Sequence, residues 1–225
     1  MAGLQFPFGR KPGAQQAAPK AEPPKPAPGK PEGHECEDCL PAKQKAALYK
    51  KIIGRYKETI EAEEDKSVTE LRSLVVPEDP VVSRISGLLK STFHPYIYDR
   101  NFLKAAEKAF LYCRDEIRNE FLPLEFWLTP DDIFELKAAD EIDKAILLCS
   151  LLIALENGSA KVVVETQQSM RHAFVTFEFN EGFYLMDPAH DVNITGVKEE
   201  ILKRQIKQQE NKVIYEFNNF EYNEW

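Results

Sequence analysis

Ala139-Asp140-Glu141-Ile142-Asp143-Lys144-Ala145 opens the most apolar helical stretch of the chain, which runs on through residues 144–155. The acidic side chains therefore collect at the positive end of a helix dipole, where a reactive group would be pre-polarised. Downstream the period changes. Asn157-Gly158 ends the helix, and residues 161–165, 172–180 and 182–186 read as strands, with a tight hairpin expected at Glu181-Gly182. His172 lies on the second of these strands, in Arg-His-Ala-Phe-Val, and Asp187 ends the third, in Tyr-Leu-Met-Asp-Pro. A helix start, an imidazole on one strand and a carboxylate on the next is the layout of a nucleophile–histidine–aspartate site.

At this point the sequence resembles the transglutaminase-like superfamily of papain-related domains, in its archaeal and bacterial form. Its members read approximately Gly-Asp-Cys-Glu-Asp-Lys-Ala, then His-Ala-Phe/Trp-Val, then Trp/Tyr-x-x-x-Asp-Pro. The matching blocks here are residues 139–145, 172–175 and 184–188, and Phe126-Trp127-Leu128-Thr129-Pro130 is similar to the segment that precedes the cysteine block. The resemblance implies an α+β fold, with the nucleophile-bearing helix packed on a mainly antiparallel sheet and additional helices before it. It also implies site positions at Glu141, His172 and Asp187, with Asp140 and Trp127 lining a cleft, Trp127 as either cleft wall or core.

The departure from the family pattern decides the chemistry. Aligning Asp143-Lys144-Ala145 with Asp-Lys-Ala puts Glu141 where the cysteine belongs and Ala139 where the glycine belongs. Cys149 is no substitute, because eight residues along a helix is about 12 Å. A carboxylate is a far poorer acyl acceptor than a thiolate, so the expectation is a domain without transamidase or cysteine-protease activity that binds a protein or peptide. The same helix terminus stabilises the Glu141 carboxylate, which could pair with His172. Three readings stay open: a binding module; a hydrolase of altered mechanism, in which Glu141, His172, Asp187 and perhaps His190 supply a general base or hold a metal; and a structural subunit.

Composition narrows the partners. The net charge is −8, and residues 1–33 carry five basic against two acidic groups, a net of +3, so the remainder is close to −11. An acidic body argues against phosphate backbones as partners. The longest apolar run, residues 145–155, is too short to cross a bilayer, and residues 1–8 lack the continuous apolar stretch of a signal peptide, so a cytoplasmic location is expected. Four cysteines do not resemble a disulfide framework, and Cys113 and Cys149 read as reduced core residues.

Organisation follows from composition and periodicity. Eight of the fifteen prolines fall in residues 1–31, so 1–40 reads as a disordered basic tail bearing an apolar patch, Leu4, Phe6 and Phe8, suited to docking on a partner. Its end carries His34, Cys36 and Cys39; this spacing can hold zinc, but no second Cys-x-x-Cys completes four ligands, and no cofactor is expected. Residues 41–120 read as helical, and 121–225 as the core domain. One helix is expected from Ala42 to Glu64 with Ala46, Tyr49, Ile53, Tyr56 and Ile60 on its apolar face. Others are expected at Ser67, at Pro80, over residues 101–119 and from Lys198 to about Gln208, with an edge strand after Val213.

Overall fold

The computed structural model describes residues 39–61, 72–121, 127–167, 170–206 and 213–224. In chain order the described elements are α1 (Cys39–Glu61), α2 (Pro80–Lys90), α3 (Tyr98–Leu111), a π-type turn (Tyr112–Glu116), β1 (Arg118–Asn119), α4 (Pro130–Leu136), β2 (Ala138–Ala139), α5 (Glu141–Ala154), β3 (Lys161–Gln167), β4 (Met170–Phe179), β5 (Gly182–Asp187), β6 (Val192–Gly196), α6 (Lys198–Gln205), β7 (Val213–Phe217) and β8 (Tyr222–Glu224). The architecture is α+β, with helices leading into an antiparallel sheet, as the sequence implies. The chain divides into two compact units, Met1–Gln44 and Lys45–Trp225. Of the first, residues 39–44 are described, as the opening of α1; the sheet and its cores belong to the second. The Pro-rich tail, its apolar patch and the helix expected at Ser67 lie outside the described residues.

Six strands pair in the order β6-β5-β4-β3-β7-β8, every neighbour antiparallel. Period-2 alternation gives this sheet two apolar faces. Val162, Val164, Ala173, Val175 and Phe177 face the main core with α5, whereas Val163, Phe174, Phe183 and Leu185 join Ile201 and Ile206 on the other side. Helix α5 is buried nearly all round from Ile142 to Leu152, the expected state of a helix that is apolar on every face. Each fully buried leucine there is worth roughly 1.5–3 kcal/mol relative to exposure.

Local chemistry fixes the ends. Asp140 caps α5 by accepting from the Asp143 N–H at 2.8 Å, and Thr129 and Asp132 form a reciprocal capping box on α4. At the other end of α5, Glu156 takes a left-handed φ of 79° while its N–H reaches the Ile153 carbonyl and the Asn157 N–H reaches that of Leu152. That paired closure is a Schellman stop with glutamate in the place glycine usually fills. The hairpin between β4 and β5 turns on Asn180 and Glu181, both at positive φ, so it sits one residue earlier than expected and Gly182 already belongs to β5.

Other elements depart from the sequence reading. On α1 the buried residues are Leu48 and Ile52, with Tyr49 and Tyr56 half-buried, whereas Ile53 is 52% exposed and Ala46 is exposed. The two tyrosines sit at the rim because their hydroxyls seek polar partners, the Phe121 carbonyl and the Asp132 carboxylate, which turns the apolar face by one residue. Helix α3 begins and ends earlier than expected; Cys113 stays buried in the π-type turn, and Arg118–Asn119 pairs in parallel with Ala138–Ala139. The stretch after Val213 forms two strands rather than one: β7 lies between β3 and β8, and β8 takes the expected edge position. Strand β6 was not foreseen.

Candidate functional site

Sequence register places the site at one end of the sheet. Glu165 of β3 stands opposite His172 of β4, and Asp187 closes β5 beside it. His172 Nε2 lies 2.8 Å from Asp187 Oδ2, and its Nδ1 lies 3.8 Å from Glu165 Oε2. The imidazole is thus held between two carboxylates. Asp187 is wholly buried and Glu165 nearly so.

The turn after β5 adds a second imidazole. Asp187 Oδ1 accepts from the backbone N–H groups of Ala189 and His190, each at 3.0 Å, which folds the chain back on itself. The returning His190 ring places Nδ1 2.9 Å from Asp187 Oδ2 and Nε2 3.6 Å from Glu141 Oε1. Glu141 is the first residue of α5, so its carboxylate sits at the positive helix end. Its Oε2 is buried and has no hydrogen-bond partner among the described residues. The result is a run of alternating acids and imidazoles: Glu165, His172, Asp187, His190 and Glu141.

These contacts set the charge states. Burial alone disfavours the His172 cation, but the hydrogen bond to Asp187 and the nearby negative charges of Asp187 and Glu165 outweigh it and raise its pKa to about 9. Asp187 resists the upward push of burial because His172 and His190 hold it below the usual carboxylate range. Glu141 goes the other way: burial raises it above the ordinary value, despite the attraction of both histidines. Lys144, one turn along α5, is 1% exposed, and burial lowers its pKa against the pull of Cys113, Asp187 and Asp115.

The structure gathers Glu141, His172 and Asp187 around His190; among the described residues the ion-pair contact of Glu141 is with His190 at 3.6 Å, not with His172 as expected, because the turn after β5 interposes the second ring. Asp140 serves as the helix cap described above, and Trp127 is 6% exposed within the main core. The adjoining Leu128 N–H is anchored by the buried Asp143 Oδ1 at 3.0 Å, which fastens the Trp127 segment to the start of α5. Cys113 and Cys149 are free and buried; burial pushes the Cys113 thiol up to about 12 and the Cys149 thiol up as well. Neither is placed to supply a thiolate at Glu141. His34, Cys36 and the side chain of Cys39 lie outside the described residues.

Two participants escaped the sequence reading, Glu165 and Lys144. Glu165 carried a signal, a charge set among Val162, Val163 and Val164 on an otherwise apolar strand. Lys144 carried one too, an ammonium within the most apolar helix. The sequence names His190 but does not orient it, since spacing from Asp187 sets no ring direction; the turn made by Asp187 does.

No helix among the described residues is long and apolar enough to cross a membrane. No family model and no curated protein matches the chain. Among solved structures, Legionella pneumophila LapG in its calcium-bound form aligns with 63% of this chain and 86% of its own, at 13% identity and a TM-score of 0.38. So loose a likeness carries nothing about activity.

Proposed function

We propose that this chain is a transglutaminase-like domain in which Glu141 replaces the nucleophile, and that it binds a protein or peptide at this site without acyl transfer through a thiol. The observation that carries the reading is the position of Glu141: a carboxylate at the start of α5, facing the His190 ring that Asp187 holds together with His172. The order of the three sequence blocks supports the domain type. The buried, weakly acidic thiols of Cys113 and Cys149 support the absence of cysteine chemistry. Binding and chemistry are separable, so such a site keeps recognition after the nucleophile is gone.

A peptide array probed with the full chain tests this. Capture of a defined subset, weakened about tenfold or more by Glu141→Lys and by His190→Ala, with no cleaved or cross-linked product by mass spectrometry, is the expected outcome. Products that require both Glu141 and His172 would replace the reading with the altered-mechanism hydrolase.

A further inference from the structure

We propose that Glu141, His172 and His190 form a binding site for a zinc-class divalent cation, with Asp187 outside the ligand set as the group that orients both imidazoles. One carboxylate oxygen and one ring nitrogen from each histidine lie within 4.8 Å of one another. Tetrahedral ligation at about 2.0–2.1 Å puts neighbouring ligand atoms roughly 3.3–3.4 Å apart. Glu141 Oε1 and His190 Nε2, at 3.6 Å, already stand close to that spacing. Drawing in His172 takes a movement of roughly 1 Å.

Two further observations point to a cation. Asp187 Oδ2 engages Nε2 of His172 and Nδ1 of His190, which fixes both ring orientations; it turns His190 Nε2 toward Glu141, while Nδ1 of His172 lies 3.8 Å from Glu165 Oε2, a looser contact than the one to Asp187. A carboxylate behind a ligating histidine is the usual outer support of a metal. Asp187 itself is not available as a ligand, because its other oxygen is taken by two backbone N–H groups. In addition, Glu141 Oε2 is buried with no hydrogen-bond partner among the described residues. A buried acceptor without a donor is satisfied by a bound cation.

The donor set selects the metal. Two imidazole nitrogens and one carboxylate oxygen suit zinc, while magnesium and calcium favour oxygen throughout. Three protein ligands leave an open position, and the site is reachable from solvent, His190 being 49% exposed and Glu141 31% exposed. The proposal rests on these three side chains and stands apart from the peptide-binding reading.

The test uses the full chain, unaltered and with His34→Ala, Cys36→Ser and Cys39→Ser combined, so that the amino-terminal set cannot supply the signal. After chelator treatment and dialysis, zinc titration by calorimetry is expected to show one equivalent retained when the amino-terminal set is removed. Glu141→Gln and His190→Ala, both at partly exposed positions, should each weaken it at least about tenfold, and Asp187→Asn about 10–100-fold. If Asp187→Asn fails to fold, the His190 variant decides. Cobalt in place of zinc should give a tetrahedral visible spectrum without a thiolate charge-transfer band. The proposal is overturned if zinc does not bind once the amino-terminal set is removed, or if binding there is indifferent to Glu141 and His190. Zinc bound with no peptide captured would end the peptide reading alone; peptide captured with no zinc bound would end the metal proposal alone.

Discussion

His172 Nε2 stands 2.8 Å from Asp187 Oδ2, and the carboxylate it meets is completely shielded from solvent. A lone buried carboxylate would be costly; this one is satisfied by two imidazoles and two backbone N–H groups. The site is consequently part of the framework that closes the end of the sheet, and disturbing its charge should register in stability as well as in binding.

The pH dependence of stability follows from His172. Its folded pKa, about 9, lies above the ordinary value of 6.5. The cation's contribution is therefore complete below pH 6.5 and is lost as pH rises through 9. The shift corresponds to something on the order of 3 kcal/mol, less for solvent screening at a side chain 28% exposed, and it belongs to the Glu165–His172–Asp187 set as a whole. Denaturant unfolding between pH 6.5 and 9 should show this decline, and His172→Gln should flatten it. An equal slope in wild type and variant would contradict the assignment.

Asp143 tests how the Trp127 segment is fastened to α5. Its Oδ1 accepts the Leu128 N–H inside the core, so Asp143→Ala strands that donor and removes a group from the first turn of the helix. A loss of about 2–3 kcal/mol in urea unfolding is expected, with faster amide exchange at Leu128 than at the centre of α5. A loss below about 0.5 kcal/mol would mean that the segment is held by other contacts.

Most of this arrangement was legible in residues alone. Helix α5 and strands β3 to β5 declared themselves by an apolar run and by short β-prone runs, and His172 and Asp187 by the strands that carry them, whereas Glu141 was singled out among the acids of the helix start by the resemblance of residues 139–145 to the family's cysteine block. The rest required the third dimension. Val192-Asn193-Ile194-Thr195-Gly196 alternates, but over only four residues before a glycine, at the lower limit of a readable strand, and as an edge strand β6 only half-buries Val192 and Ile194. The face of α1 was misjudged by one residue because tyrosine counts as apolar in a periodicity yet prefers a rim. Glu165 could be assigned to the site only once its register opposite His172 was known, and His190 only once the turn after Asp187 was seen.

The central claim is that Glu141 occupies the nucleophile's place in an otherwise intact layout. Glu141→Cys, made with Cys36→Ser and Cys39→Ser, tests it most directly through alkylation rates mapped by mass spectrometry at neutral pH. At a helix start beside an imidazolium the introduced thiol should ionise readily, reacting at least about tenfold faster than Cys113 or Cys149, and His172→Ala should slow it by about tenfold. A thiol at that position that reacts no faster than an ordinary exposed cysteine, with or without His172, would contradict the account.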